Sequence, residues 1–142
     1  MSTEQATIQF KTFLVKESHI VFDKSTNYQV EISLDANGIV NTLSNIFILR
    51  LNVYVKDKED AFHIEISTES VFSYPQDADI EIYKKSYFIL NAPAIIFPYI
   101  RAYISSLSAL SGMATLTLPT LNLTILGESL KENIIVEDKV KG

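Results

Sequence analysis

The stretch from Asn91 to Gly112, NAPAIIFPYIRAYISSLSALSG, decides the fold of this chain. It is apolar on nearly every side, has Arg101 as its only charge, and predicts a helix of about five turns, roughly 30 Å long. A surface helix of a monomeric protein has one apolar stripe and one solvated face. Here small side chains stand where charges are expected, so a second element can approach closely. We therefore predict a helix covered on two sides, with another copy of the protein as the second cover.

The apolar stripe of this helix predicts a surface for self-association. Its residues recur at helical spacing, and the predicted interface consists of Ile100, Tyr103, Ile104, Leu107 and Leu110. The helix is about long enough to cross a membrane, but the Pro, Arg, Tyr and Ser residues within it argue against insertion.

Length and composition indicate one folded domain, residues 1–142. The hydrophobic share is 47% and the charged share 20%, which favours assembly or an exposed apolar surface. The chain has no Cys, which excludes disulfides and Cys-ligated metals. Its first ten residues lack a basic region followed by an apolar run, so we predict no signal peptide and a cytoplasmic location.

The net charge of −5 is unevenly distributed. From Asp57 to Glu81 there are eight acidic residues and a single basic one, Lys58. Binding to nucleic acid requires clustered Lys and Arg, so we predict no nucleic-acid partner. The acidic residues either steer a basic partner or keep a sheet face solvated.

Before residue 75 the apolar pattern has a period of two and predicts four antiparallel strands. The first covers about residues 7–23, with a bulge near Glu17 and Ser18. The second begins at Val30 and stops at the turn signal 35–38. The third covers residues 45–56, and after a charged hairpin loop at 57–60 the fourth returns from Phe62. With the long helix packed on this sheet, the predicted class is α+β.

The remaining segments are predicted to be a crossover, an extended run and a short helix. Residues 75–90 lead from sheet to helix, Asn91 is the predicted N-cap, and Pro98 bends the helix or delays its start to near Tyr99. Residues 114–126 are predicted to be extended, and 128–142 to contain a short helix over Leu130, Ile134 and Ile135.

The sequence offers no catalytic motif. His19 and His63 lack the spacing of metal ligands, and the motif GxSxG is absent. The four isolated glycines cannot form a phosphate-binding loop. Carboxylate pairs such as Asp57 and Glu59 fall in predicted loops, where solvation is their expected role. We therefore predict a protein that is not an enzyme and has no metal or cofactor.

Aromatic residues cluster around the crossover, and two interpretations of them stay open. They fill a core or interface, or they line a groove for extended apolar polypeptide, where aromatic contact gives affinity without demanding one sequence.

Two motifs in the second half of the chain resemble one protein family. Residues 93–101, PAIIFPYIR, are similar to the PNILFPYAR motif of the SecB family of bacterial export chaperones. Gly112 followed by LPTLNL at 118–123 resembles the family's GxxPxLNL-type segment. With weaker matches in the strands, the resemblance covers most of residues 7–126.

The resemblance implies a four-stranded antiparallel sheet with one long helix, assembled as a dimer of dimers. It also implies an ATP-independent holdase that keeps unfolded preproteins competent for export and delivers them to the motor SecA. Asp23 and Glu65 retain the acidic character of the SecA-contact face. His19, His63 and the lysine-bearing tail from Glu128 depart from the family pattern.

We predict that clients bind a hydrophobic groove formed by Val30, Ile32, Leu34, Phe72, Tyr74, Tyr83, Tyr87 and Phe88. The departures from the family leave a second hypothesis, a SecB-like chaperone dedicated to a non-export client such as an antitoxin. A small apolar-ligand binder of hotdog-like fold and a purely structural oligomer are the alternatives from other classes.

Overall fold

A five-stranded sheet forms the centre of the computed structural model, which describes residues 7–23, 28–119 and 121–138. The strands, in the spatial order β1-β4-β3-β2-β5, are β1 (Gln9–Phe22), β2 (Val30–Asn41), β3 (Ile46–Asp57), β4 (Phe62–Ser73) and β5 (Ile134–Glu137). The helices are α1 (Ile80–Tyr83), a π-helix (Tyr87–Asn91), α2 (Ala92–Leu110) and α3 (Leu123–Lys131).

Strands β1 to β4 pair in antiparallel fashion, as the alternating pattern predicts. On β3 and β4 the alternate residues from Phe47 to Val55 and from Phe62 to Phe72 point into the core. The pairing of β1 with β4 shifts between Phe10 and Thr12 and again between Val15 and Glu17, so the predicted bulge lies slightly earlier and has a companion. A period of two with one buried face therefore identified this half of the fold.

The predicted end of the second strand is wrong. The sequence Asp35–Ala36–Asn37–Gly38 indicates a turn, yet β2 continues through it to Asn41, and the turn lies at residues 42–45. Gly38 is needed for packing, because a Cβ there would lie 2.6 Å from the ring of Phe47. This glycine makes room for a neighbouring side chain within a strand.

The predicted four-stranded, fully antiparallel sheet and the predicted tail helix are also corrected. The helix, α3, lies earlier than predicted, and Ile134 and Ile135 belong to β5, which pairs in parallel with residues 38–41 of β2. Residues 123–126 of the predicted extended run are helical. Residues 139–142 of the predicted tail helix lie outside the described residues.

Helix α2 begins at Ala92, well before Tyr99, so Pro98 lies inside it. Asn91 is not an N-cap, since its side chain makes no capping hydrogen bond and its backbone is already helical. Pro98 leaves the carbonyl of Ala94 without its usual helical donor. Both residues are exposed, so water can satisfy that carbonyl and the helix continues.

Helix α2 has two covers, and this chain supplies both of them. Ile96, Ile100 and Ile104 are fully enclosed in the core. On the small-residue side, Ser105 Oγ donates to the Leu116 carbonyl at 2.8 Å, and the Leu116 N–H donates to Ser108 Oγ at 2.9 Å. The returning segment 113–118 therefore occupies the place that the sequence assigned to another copy.

The helical stretch Ile80–Leu110 is long and apolar enough to cross a membrane by length and composition alone. In the structure 44% of its most apolar 18-residue part is buried inside the fold.

Candidate binding groove

An open apolar groove lies between strand β2 and helix α3. Its volume is about 330 Å³. The residues that line it are Ile32, Leu34, Leu121, Asn122, Ile125, Leu126 and Ser129. None of them is charged, and Ile125 is 72% exposed. The groove therefore offers apolar surface to solvent without a fixed charge that would select one partner.

Helix α3 is positioned by both of its ends. At its start the side chain of Asn122 accepts a hydrogen bond from the Thr124 N–H at 3.0 Å, which is an N-cap. At its end the Asn133 side chain donates to the Ser129 carbonyl at 2.7 Å, and the Asn133 carbonyl accepts from the Gly38 N–H. Asn133 thus joins the helix to the edge of the sheet.

The back of α3 packs on the π-helix through a glycine. A Cβ on Gly127 would lie 2.6 Å from the carbonyl oxygen of Ile89. In a regular α-helix that carbonyl would accept from residue 93, but Pro93 has no N–H. This close approach places the back of α3 against the crossover and leaves Ile125 on the groove side.

A second apolar group, the aromatic cluster of Phe47, Phe72, Tyr74, Tyr83 and Phe88, is closed. The rings of Phe47 and Phe88 stack with centroids 4.2 Å apart, and all five residues are buried. The Tyr74 hydroxyl donates to the Asn41 carbonyl at 3.1 Å. Burial raises the pKa of Tyr74 and of Tyr83 above 10.0, with smaller contributions from Asp138 and from Tyr87, respectively.

The eight predicted client-binding residues therefore lie in two separate places. Ile32 pairs with Val55 and Phe72 pairs with Phe47, so the two places are eight residues apart along β3, about 27 Å. Ile32 and Leu34 line the groove and Val30 is 39% exposed beside them. Four others are enclosed in the aromatic cluster: Phe72, Tyr74, Tyr83 and Phe88. Tyr87 is half-buried, and its ring centroid lies 4.6 Å from that of Tyr83.

The helical half of the groove was missed by the sequence analysis. Leu121 and Ile125 are four residues apart, which is the spacing of one helix face. That signal was available, but Pro119 and the alternating LTLP run favoured an extended reading.

Of the predicted self-association residues, three keep accessible side-chain surface. Leu110 is 88% exposed, and Leu107 and Tyr103 are half-buried, with the Tyr103 hydroxyl donating to Ser18 Oγ at 2.9 Å. Ile100 and Ile104 have no exposed surface in the single chain.

The predicted SecA-contact residues lie on the outer face of the sheet, opposite the helices. Glu65 pairs with His19 across β1 and β4, and His63 pairs with Val21 two residues further along. Asp23 follows directly, and its N–H donates to the Ala61 carbonyl at 2.9 Å. Asp23, Glu65 and both histidines are exposed on one polar surface.

Asp57 is not the solvated loop residue that the sequence suggested. It is 3% exposed, and its carboxylate accepts hydrogen bonds from the N–H groups of Gln29, Glu59 and Ala61. Because its oxygens hold the hairpin turn and the start of β2, Asp57 has a structural role.

No metal centre is evident in the described part of the chain, where no group of three or more His, Cys, Asp or Glu could hold an ion. The hollow lined by Glu17, His19 and Glu65 is open to solvent. The hotdog-like alternative requires instead an enclosed cavity with a buried acid.

Comparisons with known proteins agree on one family. The family model of SecB, preprotein translocase subunit SecB, matches residues 9–132. The protein-export protein SecB of Anaplasma phagocytophilum (strain HZ) is 33% identical over 88 residues. That match covers 60% of this chain and 56% of the relative, so the chain spans little more than half the length of this curated protein.

Solved structures show the same fold. A SecB-like chaperone of Mycobacterium tuberculosis, in complex with a ChAD peptide from the HigA1 antitoxin, has a TM-score of 0.69 at 14% identity and covers 82% of this chain and 88% of its own. A protein of unknown function from Streptococcus agalactiae has a TM-score of 0.50 at 10% identity, covering 80% and 97%. At these identities the likeness concerns the fold alone.

Proposed function

The chain belongs to the SecB family, and from this premise we propose that it is an ATP-independent holdase chaperone. It binds unfolded or non-native polypeptides and keeps them competent for Sec-dependent export. The observation that carries the proposal is the open, uncharged groove between β2 and α3. A holdase requires apolar surface that is open to solvent, because its clients expose apolar segments of many sequences.

The client site of this proposal is narrower than the sequence suggested. Ile32 and Leu34, with Val30 beside them, contribute the strand side, and Leu121 and Ile125 the helix side. Burial of apolar area gives roughly 25 cal/mol per Å² and does not depend on direction, so the groove binds by shape and apolarity.

Self-association to a homotetramer, a dimer of dimers, is part of the proposal. Leu110, Leu107 and Tyr103 carry the exposed surface of α2 that a second subunit would cover. An 88% exposed leucine at the end of a long helix supports such a cover.

We further propose a cytoplasmic protein that delivers preproteins to SecA through the outer face of the sheet. Asp23 and Glu65 supply negative charge on that face. Measuring binding of purified SecA to the wild type and to Asp23→Asn/Glu65→Gln tests this step. Equal binding of both proteins would contradict the assigned contact.

The holdase activity is tested by diluting a urea-denatured, aggregation-prone protein into buffer with and without the chaperone and recording light scattering. Suppression at a stoichiometric ratio, without nucleotide, is expected. The control is Ile125→Asp, which places a charge in the groove. Full suppression by that variant would contradict the assignment of the groove as the client site. No suppression by the wild type would contradict the holdase function.

A second candidate is a chaperone dedicated to a non-export client such as an antitoxin. It is supported by the likeness in fold to the M. tuberculosis chaperone solved with an antitoxin peptide, and by His19 and His63 on the outer face. Competition between a preprotein and an antitoxin peptide for the purified chaperone separates the candidates. Preference for the preprotein supports export.

A further inference from the structure

The sequence contains one Asn–Gly pair, Asn37–Gly38, and this pair lies inside strand β2. When glycine follows asparagine, its peptide nitrogen easily attacks the side-chain amide before it, because glycine has no Cβ to hinder the approach. An Asn–Gly pair in an exposed turn, as the sequence predicts here, is open to this reaction. The fold instead holds both residues in the extended conformation of a paired strand.

Packing does not allow a less reactive residue to follow Asn37. A Cβ at position 38 would lie 2.6 Å from the ring of Phe47 and 3.4 Å from Cγ1 of Ile134. Asn37 itself is exposed on the outer face of the sheet, opposite Arg50 in the pairing of β2 with β3. The amide that is attacked is therefore open to water, and the residue that supplies the attacking nitrogen is fixed as glycine.

Strand β5 restrains the attacking nitrogen. The Gly38 N–H donates to the Asn133 carbonyl at 3.1 Å, so this nitrogen keeps its proton and points toward β5. Asn133 is anchored to the end of α3, because its N–H donates to the Leu130 carbonyl at 2.8 Å and its side chain to the Ser129 carbonyl at 2.7 Å. The carbonyl of Asn37 faces the other way, toward β3. The peptide unit between Asn37 and Gly38 is therefore held from both sides.

The restraining strand is the shortest of the sheet. Strand β5 has four residues, pairs only with residues 38–41 of β2, and leaves Ile135 63% exposed. In the part of the chain that the structure describes, the edge of β2 before residue 38 has no partner strand and is free. Short edge elements with little buried apolar surface open locally while the rest of a domain stays folded. Opening of β5 releases the Gly38 N–H and leaves β2 paired with β3.

We propose that Asn37 is a deamidation site, which β5 protects and which reacts when β5 opens. The Gly38 nitrogen loses its proton and attacks Cγ of Asn37. A bond forms between this nitrogen and Cγ, and the bond from Cγ to the side-chain nitrogen breaks. The side-chain nitrogen leaves with the proton as ammonia. Water, the only co-reactant, then opens the cyclic imide at Cγ to give aspartate, or at the main-chain carbonyl carbon to give isoaspartate.

The two products differ in their effect on the sheet. Aspartate at position 37 places a carboxylate opposite Arg50, which already donates to Glu69 at 3.2 Å, and the strand stays paired. Isoaspartate carries the main chain through its Cβ and Cγ, which adds one atom to the strand, so the residues after it lose their register with β3 and β5. The isoaspartyl form therefore leaves the end of β2 without β5. This inference does not depend on the holdase function.

Mass spectrometry of the wild type tests the reactivity of the site. The full chain is incubated at pH 8 with or without urea, and the peptide that contains Asn37 is assayed for the replacement of ammonia by water. Deamidation is expected in urea, and it should be at least tenfold slower in the native chain. Asn52, which precedes Val53 on the adjacent strand, is the internal control and should stay intact. Equal rates with and without urea would overturn the protection, and an inert Asn37 in urea would overturn the site.

A pair of full-length variants tests the role of β5. Ile135→Pro and Ile135→Ala both remove an exposed side chain, but only the proline variant removes the N–H that faces the Gly38 carbonyl in the parallel ladder. Asn37 should deamidate at least fivefold faster in Ile135→Pro than in Ile135→Ala, and circular dichroism should show a folded sheet in both. Equal rates in two folded variants would overturn the control by β5.

Hydrogen exchange of the wild type decides the question if the proline variant is unfolded. At urea concentrations below the unfolding transition, exchange of the Gly38 amide and deamidation of Asn37 should accelerate together. The amide of Val53, in the central part of β3, should stay protected under the same conditions. Deamidation that begins only when Val53 also exchanges would mean that the whole domain must unfold first, which overturns the proposal.

Discussion

The aromatic cluster and the groove are made of similar apolar residues, but one is closed and the other is open. In the cluster, the π-helix brings Phe88 over the end of β3, where it stacks on Phe47. At the other end of β3, helix α3 stands off from the free edge of β2 and leaves Ile125 72% exposed. The covering element, and not the apolarity of the strand, decides which end becomes core and which becomes a binding surface.

The largest expected effect on stability comes from removing a ring of the aromatic cluster. Phe88→Ala removes a fully enclosed ring and should lower the free energy of unfolding by about 3–5 kcal/mol, measured by chemical denaturation. Client binding by the folded fraction should be unchanged. A stable variant that has lost client binding would place the cluster in the binding site after all.

The contact between α3 and the π-helix should give the next largest effect on stability. Gly127→Ala places a Cβ within 2.6 Å of the Ile89 carbonyl oxygen, so α3 must shift, at a cost of about 1–3 kcal/mol. Ser129→Ala, on the exposed side of the same helix, is the control and should be near neutral. Identical unfolding midpoints for the two variants would show that α3 does not depend on this contact.

Much of the closed end could be predicted from the sequence, and much of the open end could not. The alternation in β3 and β4 is a local pattern that burial enforces, so Val53 and Ile64 were placed correctly. The turn predicted at Gly38 is wrong because the need for that glycine comes from the ring of Phe47 on the adjacent strand β3. Short apolar runs such as Ile134–Val136 are ambiguous between helix and strand. This run becomes a strand because it pairs with the edge of β2.

The residues of the predicted groove lie in two separate places for a related reason. Phe72 and Tyr83 are aromatic, as the residues of client-binding surfaces often are. Both are buried, and their burial depends on where the crossover lies. Leu121 and Ile125 carried a helical spacing that Pro119 obscured. Local pattern identifies which residues are apolar, but tertiary cover determines which of them remain available.

A change at the open end should affect binding and spare stability. Ile125→Ser removes an exposed side chain, so the unfolding free energy should change by less than about 0.5 kcal/mol. Affinity for an unfolded client, measured by fluorescence anisotropy, should fall about tenfold, near 1.4 kcal/mol. The control is Ile82→Ser on α1, which also removes an exposed apolar side chain, 57% exposed, but lies outside the groove. If both variants bind alike, the groove is not the client site.

The smallest expected effect is a pH dependence of the closed end. Burial raises the folded pKa of Tyr74 and Tyr83 above 10.0, so their contribution is complete below pH 10 and is lost as the pH rises through the folded values. Tyr74→Phe removes the hydroxyl that donates to Asn41, which costs about 1 kcal/mol at pH 7.

The same variant should lose stability less steeply than the wild type between pH 9 and 11, because one ionising group is gone. Thermal unfolding across that range measures the difference. Parallel curves would mean that Tyr74 ionises as freely in the folded chain as in the unfolded one.

The pairing of β5 with β2 also has a consequence in time. Its partners Gly38 and Ile134 are 96 residues apart in the chain, the same separation as that between Thr42 and Asp138, which share a hydrogen bond. At roughly 5–20 residues per second, a ribosome needs on the order of 5–20 s to make the intervening chain. During this time the edge of β2 that later binds β5 has no partner strand. Each new molecule therefore passes through a stage in which this edge is open along its full length.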